Sequence, residues 1–79
     1  MSNLAGLGKN LRNARKARFP ADGIRGFALR IGVSPATLQK MEAGELSVTL
    51  SNYHKAAQVL GVSAQFNDLF KLPDSLFDD

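Results

Sequence analysis

The stretch from Ile24 to Ala43, IRGFALRIGVSPATLQKMEA, leaves this chain few ways to fold. Phe27, Ala28 and Ile31 recur at i, i+1 and i+4, which places all three on one side of a helix. Gly32 ends that helix, because glycine takes the left-handed backbone of a helix C-terminus at little cost. Val33 is an apolar residue inside the turn, which makes sense only if the turn packs inward. Ser34-Pro35 then starts a second helix: the hydroxyl caps a free N–H, and proline at the first position already has helical φ. Leu38 and Met41 point this second helix inward, and Gly44 stops it. Two short helices are thereby joined by a turn too tight to let them drift apart.

The flanking residues extend the same logic. Ser2 or Asn3 is a plausible cap for a first helix running to about Arg18, with Leu4, Leu7, Leu11 and Ala14 as its apolar stripe. Gly6 and Gly8 weaken its early turns by about 1 kcal/mol each relative to alanine. Phe19 to Gly23 reads as a loop, with Asp22 able to cap the helix that follows. Helix two runs to about Ile31 and helix three from about Pro35 to Ala43. Glu45 to Val48 link to a fourth helix, capped at Thr49 and ending at Leu60, with Leu50, Tyr53, Ala57 and Leu60 on one face. Gly61 stops it. A fifth helix is expected over about Ala64 to Phe70, with Phe66 and Leu69 assigned to the core. Pro73 closes the helical region. The fold expected is all-α, five short helices in one domain over residues 1–72, with an acidic tail over residues 73–79.

Composition narrows the function. At 79 residues and 44% hydrophobic content, the chain supports one small domain near the lower limit of a self-sufficient core. With no cysteine and a single histidine, His54, neither a disulfide framework nor a cysteine- or histidine-rich metal site is available. No apolar run approaches the roughly 18 residues of a spanning helix, and no signal peptide is read at the start, so a cytoplasmic protein is expected. No cofactor and no small-molecule substrate are expected. Neither a carboxylate pair at catalytic spacing nor a glycine-rich phosphate loop occurs, which argues against an enzyme.

Charge is unevenly spread. Residues 1–40 carry Lys9, Arg12, Arg15, Lys16, Arg18, Arg25, Arg30 and Lys40 against Asp22 alone, a balance of +7. Residues 41–79 carry two basic residues against six acidic ones, −4, leaving +3 overall. The basic half contains the turn, as a polyanion binder requires. Helix, tight glycine turn and helix is also the arrangement whose second helix enters the DNA major groove.

With these elements placed, the chain resembles the Xre family of Cro and cI phage-repressor-like DNA-binding domains, over roughly Leu4 to Leu69. The residues that carry the resemblance are Ala28, Gly32, Val33, Leu38 and Met41 in register, Glu42 followed by Gly44, and Leu60-Gly61-Val62 closing helix four. The resemblance implies a compact lambda-repressor-like domain in which helix three reads DNA. It also implies that Arg15 of helix one pairs with Glu42 and fixes how helix three sits, a structural role preferred here over phosphate contact. Two features depart from the family. Ile24 stands where a polar residue, often Gln, usually begins helix two, and the loop after helix one is about two residues longer. Arg25 is then the expected phosphate contact, beside the free N–H groups of the helix-two start.

On helix three, base reading is expected from Pro35, Ala36, Gln39 and Lys40. Lys40 suits guanine O6 or N7, Gln39 suits adenine, and Pro35 or Ala36 can meet a thymine methyl. Phosphate contacts are expected from Arg25, Ser34, Thr37 and Ser47, which position rather than specify. Arg12 and Lys16 are expected to be solvated, and His54 to be an ordinary surface or boundary residue. Phe70, Leu76 and Phe77 are candidates for a dimer seam, since the family places two reading helices about 34 Å apart on a palindrome. The function expected is a sequence-specific transcriptional regulator of double-stranded DNA, a homodimeric repressor of the phage or mobile-element kind. The alternative is an antitoxin-type subunit that neutralises a partner toxin and regulates its own operon.

Overall fold

The computed structural model describes residues 4–73. Four α-helices follow one another, α1 (Ala5–Arg18), α2 (Gly23–Ile31), α3 (Pro35–Glu42) and α4 (Leu50–Leu60), and a short 3-10 helix, Ser63–Asp68, completes the fold. The five-helix, all-α expectation holds. Among the described residues no helix is long and apolar enough to cross a membrane.

One backbone closure is used three times. At the end of α2, Gly32 is left-handed (φ 75°), its N–H reaches Leu29 O, and Val33 N–H reaches back to Ala28 O at 3.0 Å. Gly44 and Glu45 close α3 onto Met41 and Lys40 in the same way, and Gly61 and Val62 close α4 onto Gln58 and Ala57. This double hydrogen bond needs a positive φ at the glycine and favours an apolar residue after it, which packs back on the helix. Val33 and Val62 both do so. Gly-Val in the sequence is the trace of that geometry.

α3 packs on α1 and α2, while α4 packs on α1, α2 and the 3-10 helix. Phe27, Ala28, Leu38 and Met41 are fully buried at the centre, surrounded by Leu11, Ile31, Tyr53, Ala56 and Leu60. Phe19 and Phe27 meet with ring centres 5.8 Å apart, which brings the α1–α2 loop onto the core.

Several apolar assignments need correction. Leu4 and Leu7 share the stripe of Leu11, yet they are 51% and 40% exposed. Residues buried in α1 are instead Gly8, Leu11 and Arg15. Leu50 is exposed, and Ala56 takes the buried place on α4. The last helix is a 3-10 helix ending at Asp68 with no fully buried residue, and Leu69 lies half outside rather than in the core. Helix periodicity gives the inward face, but a domain this small runs out of core before every turn of that face finds a partner. The chain start is described only from Leu4, so the Ser2 and Asn3 caps lie outside the described residues; Leu4 occupies the N-cap position without a side-chain hydrogen bond. Thr49 stands at the N-cap of α4, also without one.

After the 3-10 helix the chain makes a tight turn in which Lys71 N–H donates to Asp68 O at 3.0 Å. Leu69 (φ −60°, ψ 137°) and Phe70 (φ 68°) have the backbone angles of a type II turn, whose third position belongs to glycine or asparagine. A phenylalanine there costs roughly 1–2 kcal/mol.

Candidate nucleic-acid interface

The interface is built around α3, eight residues long. Its start is fixed by a reciprocal pair: Thr37 N–H donates to Ser34 Oγ at 3.0 Å, and the Ser34 hydroxyl donates to Thr37 Oγ1 at 2.9 Å. Ser34 is thus a true cap, with Pro35 at the first helical position. Leu38 and Met41 fill the core, and Pro35, Ala36, Gln39 and Lys40 are exposed to solvent. One cation, one amide and small apolar surface form this face, with no carboxylate on it.

Arg15 and Glu42 anchor the other side of α3. Arg15 Nε donates to Glu42 Oε2 at 2.6 Å and Nη2 to Oε1 at 3.1 Å, a two-pronged contact between side chains less than a tenth exposed. The hydrogen bond to Glu42 raises the Arg15 pKa above its ordinary value, against the opposing effect of burial. A planar guanidinium held on a planar carboxylate fixes orientation as well as distance. Arg15 is therefore withdrawn from solvent and not displayed towards a ligand.

Beside this pair the backbones of α1 and α3 come close. A Cβ on Gly8 would overlap Glu42 O and lie 2.6 Å from Gly44 N; one on Gly44 would overlap Leu4 O. Leu4 N–H donates to Gly44 O at 2.7 Å across the same seam. Gly8, read from the sequence only as a helix-weakening residue, is the spacer that lets α3 settle against α1. A signal was present: Gly8 lies seven residues before Arg15, two turns down the same face.

At the start of α2, Arg25 is exposed and Ile24 is partly buried against the core. Asp22 occupies the N-cap position but is itself in helical conformation, and its side chain does not cap. It pairs instead with Arg30, through Nε–Oδ2 and through Nη2–Oδ1 at 3.3 Å. Arg30 also lies over the Phe19 ring, 4.2 Å from its centre. The Asp22 hydrogen bond raises the Arg30 pKa. The α1–α2 loop is thus clasped to α2 by an ion pair and a cation–π contact, and Arg30 is occupied. Sequence reasoning missed this clasp, because its partners are eight and eleven residues apart and lie on a loop.

The α3–α4 loop is held from below. Tyr53 Oη donates to Glu45 O at 2.7 Å, and burial, with a contribution from the Glu45 charge, pushes the Tyr53 pKa up. Ser47 is exposed, its hydroxyl 3.4 Å from Glu45 Oε1. His54, expected as an ordinary surface or boundary residue, is partly buried and packs edge-on against Phe66 with ring centres 5.2 Å apart. Lys9, Arg12 and Lys16 are exposed on α1. Of the dimer candidates, Phe70 is 99% exposed, while Leu76 and Phe77 lie outside the described residues.

A short α2, a glycine turn and an exposed α3 packed against it define a helix-turn-helix module. The sequence model of the helix-turn-helix family matches residues 24–67, more than half of the chain. The chain belongs to that family, of the Xre, Cro/cI-like kind, and is a DNA-binding transcription regulator. Comparison with curated proteins and with solved structures found no match.

Proposed function

We propose that this regulator is a sequence-specific repressor that binds a palindromic operator in double-stranded DNA as a homodimer. The observation that carries the reading is α3: its outer face presents Ala36, Gln39 and Lys40 while its inner face and end are fixed by Leu38, Met41 and the Arg15–Glu42 pair. A reading head must be rigid in aim and free in chemistry, and this helix has both properties. In the proposed complex α3 lies in the major groove. Lys40 donates to guanine, Gln39 pairs with adenine, and Pro35 and Ala36 supply apolar contact to thymine methyls.

Phosphates on either side are held by Arg25 from α2, by Ser34 and Thr37 at the start of α3, and by Ser47 from the following loop. Asp22 stands beside the α2 start, countered by Arg30. That local balance favours Arg25 over bare backbone N–H groups as the grip on phosphate there. Residues 1–72 would act as the DNA-binding unit, with residues 73–79 as an acidic appendage.

Selection of bound duplexes from random DNA tests this reading. An enriched inverted repeat is expected. No enriched sequence at moderate salt would sink it.

A second reading is an antitoxin-type subunit. It is favoured by Leu46 in the α3–α4 loop and Leu50 at the start of α4, 57% and 60% exposed, where a partner protein could cover them. Copurification of a second protein whose toxicity this chain suppresses would establish that role.

A further inference from the structure

Asp22 is the only acidic residue among the first 40, against eight basic ones, and the fold does not leave it as a loose surface charge. Its side chain is 16% exposed, against 48% for that of its partner Arg30. The two are joined through Nε–Oδ2 and Nη2–Oδ1 across eight residues, about two turns of helix. An ion pair of that reach needs the intervening turn to be bare, and Gly26 makes it so. A Cβ there would lie 3.0 Å from Asp22 Cβ and 3.3 Å from its carboxyl carbon. The guanidinium also lies over the Phe19 ring, 4.2 Å from its centre, and that ring rests on Phe27. An ordinary surface ion pair is weak. This one is two-pronged and backed by a ring, and its loss would strand a carboxylate that is mostly covered.

We propose that Asp22 is a positioning residue that holds Arg30 back from DNA, and so sets how strongly this protein grips phosphate whatever the sequence. The pair places a guanidinium and a carboxylate together at the start of α2, the end that carries the exposed Arg25. Two uncompensated cations there would neutralise two phosphates. With Arg30 engaged by Asp22, the start of α2 offers Arg25 alone. Each phosphate neutralised adds about 0.9 to the slope of log affinity against log salt, which is about eightfold in affinity at about 0.1 M salt. No residue of α3 takes part in the clasp, so the choice of sequence stays with that helix. A regulator gains from this restraint, because grip on the mass of other DNA competes with its operator. This rests on the reading above, in which the α2 start faces phosphate.

Salt titrations of fluorescence anisotropy on a mixed-sequence DNA duplex test it, and they need no operator. Asp22→Asn keeps the shape of the side chain and removes the charge that neutralises Arg30. It should bind about eightfold more tightly at about 0.1 M salt, with a slope steeper by about 0.9. Asp22→Ser, whose hydroxyl can cap α2, makes the same charge change if the amide unsettles the loop. Asp22→Asn combined with Arg30→Gln should return to the wild-type slope, since the gain belongs to Arg30. An unchanged or shallower slope in both Asp22 variants, with only a lowered Tm, would make the pair a loop staple and overturn the proposal. A gain that persists in the double variant would overturn it equally, by making Asp22 a repulsive charge that acts without Arg30. Arg25→Gln separates this inference from the reading beneath it. If that variant loses slope while the Asp22 variants gain none, the α2 start grips phosphate and only the role of Asp22 falls. If Arg25→Gln leaves the slope unchanged, the α2 start does not face DNA and both fall.

Discussion

Replacing Glu42 by alanine should unfold most of this domain's stability rather than merely impair DNA binding. The substitution strands Arg15, which is only 6% exposed and bonded twice to the lost carboxylate. An uncompensated buried charge of this kind costs roughly 3–5 kcal/mol. Natural domains hold about 0.05–0.15 kcal/mol per residue, so a 79-residue chain has on the order of 4–12 kcal/mol in total. The loss is therefore a large share of the whole. At about 4–8 °C per kcal/mol for a domain of this size, Tm should fall by roughly 12–40 °C. Circular dichroism melts and urea titrations of wild type, Glu42→Ala, Arg15→Met and the double variant measure it. The double variant should recover most of the loss, since removing both partners leaves no stranded charge. If Glu42→Ala melts within a few degrees of wild type yet fails to bind DNA, the pair is a ligand contact and the reasoning fails.

Gly8→Ala should be costly for a different reason: its methyl meets the Glu42–Gly44 backbone, which has no rotamer to yield, so a loss of about 1–3 kcal/mol in urea unfolding is expected. The same change at Gly6, which has open space around it, should stabilise slightly. Lys40→Ala should weaken operator binding by about 1–3 kcal/mol and relax preference at one base pair, as read by competition among single-base operator variants. Arg25→Gln should instead weaken all sequences alike and lower the salt-dependence slope by about 1. Tyr53→Phe removes the hydrogen bond to Glu45 O and should cost about 1 kcal/mol. Because the folded-state Tyr53 pKa is raised above its ordinary value of 10.0, the native protein holds that proton more tightly than the unfolded chain does. Its contribution is therefore complete below pH 10 and declines as the phenol ionises above it; Tyr53→Phe should show a smaller alkaline loss in urea melts.

The helices were legible in the sequence wherever their signals are local. Gly32, Gly44 and Gly61 each terminate a helix by a closure confined to six residues, and Ser34-Pro35 starts one within four. Pairing Arg15 with Glu42 needed the family resemblance, since 27 residues separate them and nothing in their spacing joins them. What stayed hidden depends on what lies opposite in space. Gly8 carries the same helix-weakening cost as Gly6; its spacing from Arg15 puts it on the same face, but only the backbone of α3 opposite shows that it is a spacer and not a weak point. Asp22 has the residue type of a helix cap, but Arg30 offers it a charged partner and the capping geometry is lost. Leu4, Leu50 and Leu69 obey the right period, yet the described residues leave each of them about half exposed.

The seam at Gly8 and Gly44 has a consequence for how such a protein can change. The attitude of α3 is set by main-chain contact, by Leu4 N–H on Gly44 O, and by one ion pair, and none of these involves residues 36, 39 or 40. Those three positions are accordingly interchangeable in the manner of type in a fixed frame. A library varied only there should retain the fold throughout while its members diverge in the DNA they choose.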